Sequence, residues 1–564
     1  MLRLSNTYSK QIEAFRPLDP TGKSVTMYSC GPTVYSFAHI GNFRSFLFAD
    51  LLRRVLERRG YTVRHVMNIT DVGHMTQDHL ADATGEDKLA KAARELGWDP
   101  YRVAEHFMAA FIGDAKHLRM RNYAGADADD AALHPRATAF IPEMLLMIQQ
   151  LLDRGHAYTD GRGQVYFSIA TFAEYGHLSG KVQEDLESGA RVEVRKEKRD
   201  PRDFALWKVD ERHLMQWDPH SAEGWSSNDW QRLQALQPNG IDAKVKKGFP
   251  GWHLECSAMV LATLGETIDI HTGGEDNVFP HHECEIAQSC CALDIKVPSP
   301  LGDGDRRSFA RYWVHGRHLL VDGGKMSKSD GTFYTVRDLV DPVAAGRPEL
   351  RERLIAAGFP SGNVATNVLR LALLWARYCQ PMNFSFDLLT QARNAVSRIQ
   401  SLYERAAELD NGNAAGATPA VRAILDDGTL GFDKALDDDL NMEQAMASLL
   451  DLIGKLNQQT MSAADASATV LALQGIDSII DVLVKKRMGL VDKARLATAT
   501  VDDSAQLLQA GALDDALIEH CIVARQAAKK ARDFASADAI RNELKARGVL
   551  IEDVLAGVRW KAES

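Results

Sequence analysis

The chain has 564 residues, an apolar share of 45% and a net charge of −10 at pH 7, which predict about three or four domains with real cores. Seven cysteines, an odd number without framework spacing, exclude a disulfide scaffold and indicate a reducing compartment. No apolar run approaches the roughly twenty residues of a membrane span, and the N-terminus lacks a hydrophobic signal core, so we expect a soluble cytoplasmic protein without a membrane partner.

The first predicted strand and helix carry a short motif. Residues 25–30 form an apolar run of strand length that breaks at Gly31. A helix with Asn42 as its cap then runs to Gly60. The histidine motif, His39-Ile40-Gly41-Asn42, lies at the start of this helix. Strand, turn and helix in this order form half of a βαβ nucleotide unit, whose helix N-terminus attracts phosphate.

A second motif, the lysine motif, follows almost three hundred residues later as Lys325-Met326-Ser327-Lys328-Ser329, beside two glycines. Each match alone is weak, because a core histidine or a solvated lysine turn explains it equally well. Together they predict ATP-dependent activation of a carboxylate, in which charge accumulates on phosphate oxygens. The candidate catalytic residues are His39, Asn42, Lys325 and Lys328, and these four with Gly41 are the candidate ATP-binding residues.

A metal site is also predicted. His281 and Glu285 lie four residues apart after Pro280, so both project from one face of a helix. Cys30 ends the first strand and Cys256 follows an aromatic turn. Two cysteines, a histidine and a glutamate suit zinc. The residues alone leave two alternatives open, namely that the cysteines are small buried hydrophobes, or that neighbouring Cys and His residues are the ligands.

The two motifs resemble the signatures of the class I aminoacyl-tRNA synthetases, and the residues around them resemble the cysteinyl-tRNA synthetase family nearly end to end. The resemblance is carried by residues 30–35, 251–259, 279–288, 313–316, 435–441 and 531–541. It implies one zinc ion per chain, bound by Cys30, Cys256, His281 and Glu285. It also implies a cysteine pocket that contains Gly31, Thr70, Trp252 and Asp276, although Trp252 could be core and Asp276 a turn residue.

The implied activity is cysteine–tRNA ligation with ATP, L-cysteine and tRNA(Cys) as substrates and with Mg²⁺ arriving on ATP. Zinc would select the cysteine thiolate over the serine hydroxyl. A pocket that recognises shape alone distinguishes these two side chains poorly. Two alternatives remain: a ligase that transfers cysteine to a sugar amine, and a catalytically dead paralogue that binds RNA. The long C-terminal region argues against the first, and the intact motifs argue against the second.

The expected fold is α/β: a Rossmann-like catalytic domain with an insertion, then an all-α bundle and a small α+β domain. The predicted limits are 1–300 with a helical connective insertion at about 120–250, a connecting element with the lysine motif at 301–360, the bundle at 361–490, and an anticodon-binding domain at 505–564. Within the last domain, the basic residues beside Trp560 in Arg559-Trp560-Lys561 suit single-stranded RNA, whose unstacked bases pack on exposed aromatic rings. The candidate tRNA-binding residues are Lys529, Asp538, Asp553 and Trp560. We expect a monomer, although no sequence feature distinguishes it from a dimer.

Two segments depart from the family pattern. Residues 210–247 are longer than the family segment, and their three tryptophans predict an ordered insert. After residues 68–72 the family often has a pair of acidic residues, where this chain has Gly73 and His74. The second departure lies near the expected amino-acid pocket.

Overall fold

The computed structural model describes residues 1–77, 81–82, 84–181, 198–302, 304–327, 331–410, 412–484, 486–497, 515–554 and 557–563. It forms two compact units, Met1–Val482 and Leu483–Ser564. No helix in these described ranges is long and apolar enough to cross a bilayer.

The first unit is built on short strands. They are β1 (Arg3–Asn6), β2 (Gln11–Ala14), β3 (Ser24–Ser29), β4 (Thr62–Met67), β5 (Met75–Gln77), β6 (Thr84–Asp87), β7 (Ala157–Thr159), β8 (Val165–Phe167), β9 (Phe204–Lys208), β10 (Phe249–Pro250), β11 (Ile268–Gly274), β12 (Val297–Pro298), β13 (Asp305–Arg306), β14 (Ala310–Gly316), β15 (Leu319–Val321) and β16 (Met382–Phe384). The main sheet is parallel in the order β14-β11-β3-β4. Strands β11 and β14 are almost entirely buried, as in doubly wound α/β proteins.

Helices cover this sheet and continue into the bundle. They are α1 (Ile40–Arg58), α2 (Lys88–Leu96), α3 (Pro100–His117), α4 (Ile141–Asp153), α5 (Ser227–Leu236), α6 (Trp252–Leu264), α7 (Glu283–Leu293), α8 (Val336–Val340), α9 (Pro348–Ala356), α10 (Thr366–Leu374), α11 (Phe386–Leu409), α12 (Pro419–Asp437), α13 (Met442–Asn457) and α14 (Ala463–Ile480). Helix α1 follows β3 directly and ends before Gly60, whose φ of 88° stops it.

An antiparallel sheet in the order β10-β9-β8-β7 lies in the expected insertion. Residues 210–247 join β9 to β10 and include α5, which packs against α4. Trp217 is buried, and its backbone bonds to Gly248 in both directions. The prediction that this insert is ordered is confirmed.

The bundle helices α11 to α14 bury apolar faces at helical spacing. On α13, for example, the buried side chains include Leu449, Leu452, Ile453 and Leu456. The expected α/β class followed by helical domains is confirmed.

In its described residues, the second unit contains a three-stranded antiparallel sheet and three helices. They are β17 (Lys486–Asp492), α15 (Lys493–Ala497), α16 (Asp515–Lys530), α17 (Phe534–Ala546), β18 (Val549–Val554) and β19 (Gly557–Glu563). Strand order is β17-β19-β18. Because β17 pairs with β19, residues 486–490 belong to this unit, whereas the sequence placed them at the end of the bundle.

Candidate active site and metal centre

The start of helix α1 presents the histidine motif. His39 is the N-cap residue, and its Nδ1 accepts a hydrogen bond from the Asn42 backbone N–H at 3.1 Å. Asn42 Oδ1 accepts in return from the His39 backbone N–H at 3.1 Å. The prediction that Asn42 caps this helix is therefore wrong, because Asn42 is the third helical residue of a capping box closed on His39. Since Nδ1 accepts, a neutral His39 carries its proton on Nε2.

The lysine motif lies against the same helix start. A Cβ atom built on Gly41 would be 2.7 Å from Cε of Met326 and 3.0 Å from the His39 ring, so Gly41 lets the Met326 side chain lie close to the helix start. The chain after the motif continues the contact, because the Ile40 N–H donates to Tyr334 O at 2.9 Å and the ring of Phe333 lies 5.3 Å from that of His39. The two motifs, distant in sequence, thus lie together at the start of α1. Lys328 lies outside the described residues.

A cavity of about 980 Å³ opens beside this place and is lined by Trp252, Asp276 and the exposed Lys325. It therefore joins two expected cysteine-pocket residues to the lysine motif. Lys10, Lys181 and Arg317 also line it and were not predicted. They are isolated basic residues in sequence, and only the fold brings them to one cavity.

The four predicted metal ligands converge. One ligand atom from each of Cys30, Cys256, His281 and Glu285 lies within 4.8 Å of the others, and we call this set the metal cluster. Cys30 follows β3, Cys256 lies on α6, and His281 and Glu285 flank the start of α7. His281 Nε2 is 3.0 Å from Glu285 Oε1, and the two sulfurs are 3.9 Å apart. All but the half-buried Cys30 are at most 1% exposed.

A second set of converging atoms shares two of these residues, Cys30 and Glu285, and adds His271 and His282. Hydrogen bonds show how His281 of the first set is oriented. His253 Nε2 lies 3.0 Å from the carbonyl oxygen of Ala81, which can only accept, so Nε2 donates and a neutral His253 accepts at Nδ1.

The partner of His253 Nδ1 is Nδ1 of His281, at 2.9 Å. His281 must therefore donate through Nδ1, which leaves the Nε2 lone pair facing Glu285 and the cysteines. His271 Nε2 lies 2.9 Å from the other carboxylate oxygen of Glu285 and can hold it by hydrogen bonding. Such outer partners, which fix the tautomer of a ligand histidine and orient a ligand carboxylate, are usual around zinc.

Residues of the metal cluster favour their charged forms although they are buried. Burial opposes ionisation of Glu285, but His271 and His281 outweigh it and lower its pKa to about 2. Burial also disfavours a charged His281, yet Glu285 and Cys256 raise its pKa to about 10. For Cys256, burial is outweighed by the hydrogen bond from Cys30, and the pKa falls to about 6. The cluster thus combines anionic donor atoms with a proton that a metal ion can displace. Both features fit a zinc site, because zinc binding releases protons from its ligands.

The remaining expected pocket residues surround the metal cluster. Gly31 has no room for a side chain, since a Cβ there would lie 1.7 Å from Asn68 O. Thr70 is buried and accepts from Asn68 Nδ2 at 3.1 Å. The Trp252 ring stacks on His281 with a centroid distance of 4.3 Å and an interplanar angle of 25°. Asp276 is different, because its side chain is 87% exposed at the edge of the cavity.

His74 is a neighbour of this pocket for which no role is predicted from the sequence. Its ring stacks on Trp252 at 3.9 Å with an interplanar angle of 10°. The departure from the family pattern at Gly73 and His74 was the signal that could have found it.

In the C-terminal unit, the expected RNA-contacting residues differ in exposure. Asp553 is bound by Arg525 and by Lys529, whose Nζ lies at 2.9 Å, and these hydrogen bonds lower its pKa to about 2 although burial opposes them. Asp538 is exposed. Trp560 is only 1% exposed and lies in the core of the unit, so the expectation that it stacks on a base is wrong. The exposed aromatic ring is that of Phe534, at 62%.

Comparison with known proteins agrees with this geometry. Residues 16–361 match the family described as tRNA synthetases class I (C) catalytic domain, and residues 431–484 match the DALR domain. A cysteine–tRNA ligase of Salinibacter ruber is 38% identical, with 99% of this chain and 98% of that protein covered. One of Symbiobacterium thermophilum is 37% identical, with 99% of both covered. The chain belongs to the cysteine–tRNA ligase family.

Solved structures of other class I synthetases share the fold. A LeuRS of Agrobacterium radiobacter, in a ternary complex with tRNA and LeuAMS, superposes with a TM-score of 0.53 at 12% identity, covering 83% of this chain and 85% of that one. At this identity the likeness concerns the fold alone. The histidine motif, the lysine motif and the metal cluster all lie within the residues that match the catalytic-domain family.

Proposed function

We propose that this chain charges tRNA(Cys) with cysteine and that a zinc ion held by the metal cluster selects the amino acid. The observation that carries the proposal is the convergence of four zinc-type ligand atoms within 4.8 Å, beside the cavity that Trp252 shares with Lys325. The full-length similarity to cysteine–tRNA ligases supports the reaction. This full-length similarity weighs against the sugar-amine ligase.

In the first step, the cysteine carboxylate attacks the α-phosphorus of ATP, forming cysteinyl adenylate and expelling pyrophosphate. The chain offers the nucleotide the α1 N-terminus, with Gly41 giving close approach and His39 presenting a donor at Nε2. Lys325 and Lys328 supply positive charge to the phosphates as charge develops in the transition state. Mg²⁺ arrives with ATP.

Selection of cysteine rests on the metal cluster. A zinc ion held by Cys30, Cys256, His281 and Glu285 would bind the soft substrate thiolate in preference to a serine hydroxyl. His253 and His271 fix the orientation of two of these ligands through the hydrogen bonds described above. Gly31, Thr70, Trp252 and Asp276 would form the wall and rim of the cysteine pocket.

In the second step, a hydroxyl of the 3′-terminal adenosine attacks the activated carbonyl and releases AMP. Residues 1–300, with the insertion at about 120–250, and the connecting element 301–360 would perform the chemistry, and 361–490 and 505–564 would bind the tRNA. In the C-terminal unit we propose Lys529, Asp538 and Asp553 as RNA contacts, with Phe534 in place of Trp560 as the stacking ring.

The test is amino-acid-dependent exchange of pyrophosphate into ATP, run with cysteine and with serine, before and after metal chelation and after zinc is restored. We expect exchange with cysteine alone, lost on chelation and recovered with zinc. Charging of tRNA(Cys) then separates the ligase from an enzyme that transfers cysteine to a sugar amine. Absence of cysteine-dependent exchange in the zinc-loaded protein would favour the dead RNA-binding paralogue.

Lys325→Ala is the matched variant for the catalytic role. If the lysine acts in the transition state, the variant lowers the exchange rate with little change in cysteine KM. A rise in cysteine KM alone would contradict the role.

A further inference from the structure

We propose that His74 is a positioning residue of the amino-acid pocket, which holds the indole of Trp252 flat against His281. The inference rests on the function proposed above and adds a residue to its specificity pocket. It is carried by the stack of the two rings, by the hydrogen bonds on both nitrogens of His74, and by the backbone of Gly73.

The stack contains three rings, and that of Trp252 contacts the other two. Trp252 packs on His74 at 3.9 Å and 10°, and on His281 at 4.3 Å and 25°. His74 is 7% exposed, whereas Trp252 is half-buried and lines the cavity that contains Lys325. The indole is therefore the wall between the metal cluster and the cavity, and His74 supports it from the protein interior.

Both nitrogens of the His74 ring are held. Nε2 lies 2.8 Å from Nζ of Lys88, and Nδ1 lies 2.6 Å from Oγ1 of Thr33. An ammonium group can only donate, so Nε2 accepts and the neutral ring carries its proton on Nδ1, from which it donates to Thr33. The backbone adds a third link, since the Lys88 N–H donates to the His74 carbonyl at 2.8 Å. A ring bound at both nitrogens cannot rotate away from the indole without breaking two hydrogen bonds.

Gly73 brings the ring to this position. Its φ is +80°, and a Cβ there would lie 2.7 Å from Pro250 O and 3.0 Å from Glu255 Oε1. Pro250 ends the strand that precedes α6, which begins at Trp252. Only glycine lets the loop approach this turn so closely in this conformation. The departure at Gly73 and His74 is thus one feature: the glycine permits the approach and the histidine supplies the stacking face.

The test compares wild type, His74→Ala and His74→Phe in pyrophosphate exchange, with KM measured separately for cysteine and for ATP. Zinc per chain and melting temperature are measured on the same samples. His74→Ala removes the stacking partner, and we expect cysteine KM to rise roughly 3- to 10-fold, the range of an aromatic pair. We expect ATP KM and zinc content to stay within about twofold of wild type. His74→Phe keeps a stacking face and should restore most of the cysteine affinity.

His134→Ala is the matched control, because His134 also stacks on an aromatic ring, that of Tyr123 at 4.4 Å, and is hydrogen bonded. It should lower the melting temperature without changing cysteine KM. An unchanged cysteine KM in His74→Ala, or equal rises for cysteine and ATP, would overturn the positioning role while leaving the ligase function intact. If His74→Ala does not fold, the same criteria apply to Lys88→Met, which removes one restraint on the ring. Wild-type protein without cysteine-dependent exchange would overturn both proposals.

Discussion

Arg370 provides the sharpest test of how the first unit holds helix α1 in place. Its side chain is fully buried on α10, and its guanidinium donates to Asp50 Oδ2 at 2.7 Å, Ile480 O at 2.8 Å and Leu118 O at 2.8 Å. Asp50 lies on α1, which begins with the histidine motif, whereas Ile480 ends the bundle helix α14. One side chain therefore ties the catalytic helix to the bundle and to the end of α3.

Arg370→Met keeps most of the volume and removes the three donors. Asp50 retains Arg54 at 2.8 Å and the Arg121 N–H at 2.6 Å, so it does not become an isolated charge. Two buried carbonyls lose a charged donor, at about 1–3 kcal/mol each. Together these two losses cost about 2–6 kcal/mol. At about 2.1 cal/mol/K per residue, a cooperative unit of residues 1–482 loses about 1 °C per kcal/mol, so the melting temperature falls by about 2–6 °C.

The assay is differential scanning calorimetry at two scan rates, with the transition of the first unit followed in wild type and variant. Arg377→Met is the control, because Arg377 pairs with Asp438 near the surface at 3.1 Å and should contribute no more than about 1 kcal/mol. An Arg370→Met transition within 1 °C of wild type would refute the reasoning, since three lost bonds at a fully buried site cannot be silent.

Three further changes give distinct readouts. Cys256→Ser should lose bound zinc, measured as metal per chain, together with cysteine-dependent exchange; an unaltered exchange rate would remove the metal from the selection of cysteine. Phe534→Ala should lower kcat/KM for tRNA by about 5- to 100-fold, the range of one base stack, while exchange stays unchanged; equal loss in both assays would contradict a tRNA contact. Asp553 has a pKa of about 2, below its usual 3.8, so its contribution to stability is present above about pH 4 and is lost as the pH falls towards 2. The stability difference between wild type and Asp553→Asn should therefore shrink over this range in acid unfolding curves, and a constant difference would show that the pairing with Lys529 adds nothing.

The sequence predicted the metal cluster only in part. The spacing of His281 and Glu285 placed both on one helical face, and the structure puts their ligand atoms 3.0 Å apart. Cys30 and Cys256 were chosen over nearby cysteines through the family resemblance, because no local pattern encodes which thiol a distant helix will meet. His253 and His271 were not predicted as outer partners at all, since such roles depend on side-chain orientations that only tertiary packing fixes.

The error at Trp560 has a different origin. The flanking Arg559 and Lys561 suggested a basic surface with an exposed ring. In β19, however, Val558, Trp560 and Ala562 alternate with these basic residues and are all buried, while Arg559 and Lys561 are partly exposed. This period of two is a strand pattern with one face on the core, and it was legible in the sequence. Phe534 lies just after the N-cap Asp533, and its ring is exposed.

The arrangement of the parallel sheet explains why residues from distant parts of the sequence meet at one site. Cys30 follows β3, Asn68 and Thr70 follow β4, Asp276 follows β11, and Arg317 follows β14 directly. All four strands are parallel, so their carboxyl ends lie along one edge, where ligands bind in open α/β sheets. The β3–α1 connection contributes to two sites. Cys30 at its start belongs to the metal cluster, and the histidine motif at its end belongs to the proposed ATP site. A substrate whose thiol lies at the first point and whose carboxylate points to the second is oriented by both. Displacement of this connection should therefore impair cysteine binding and adenylation together, whereas a change in the lysine motif should impair adenylation alone.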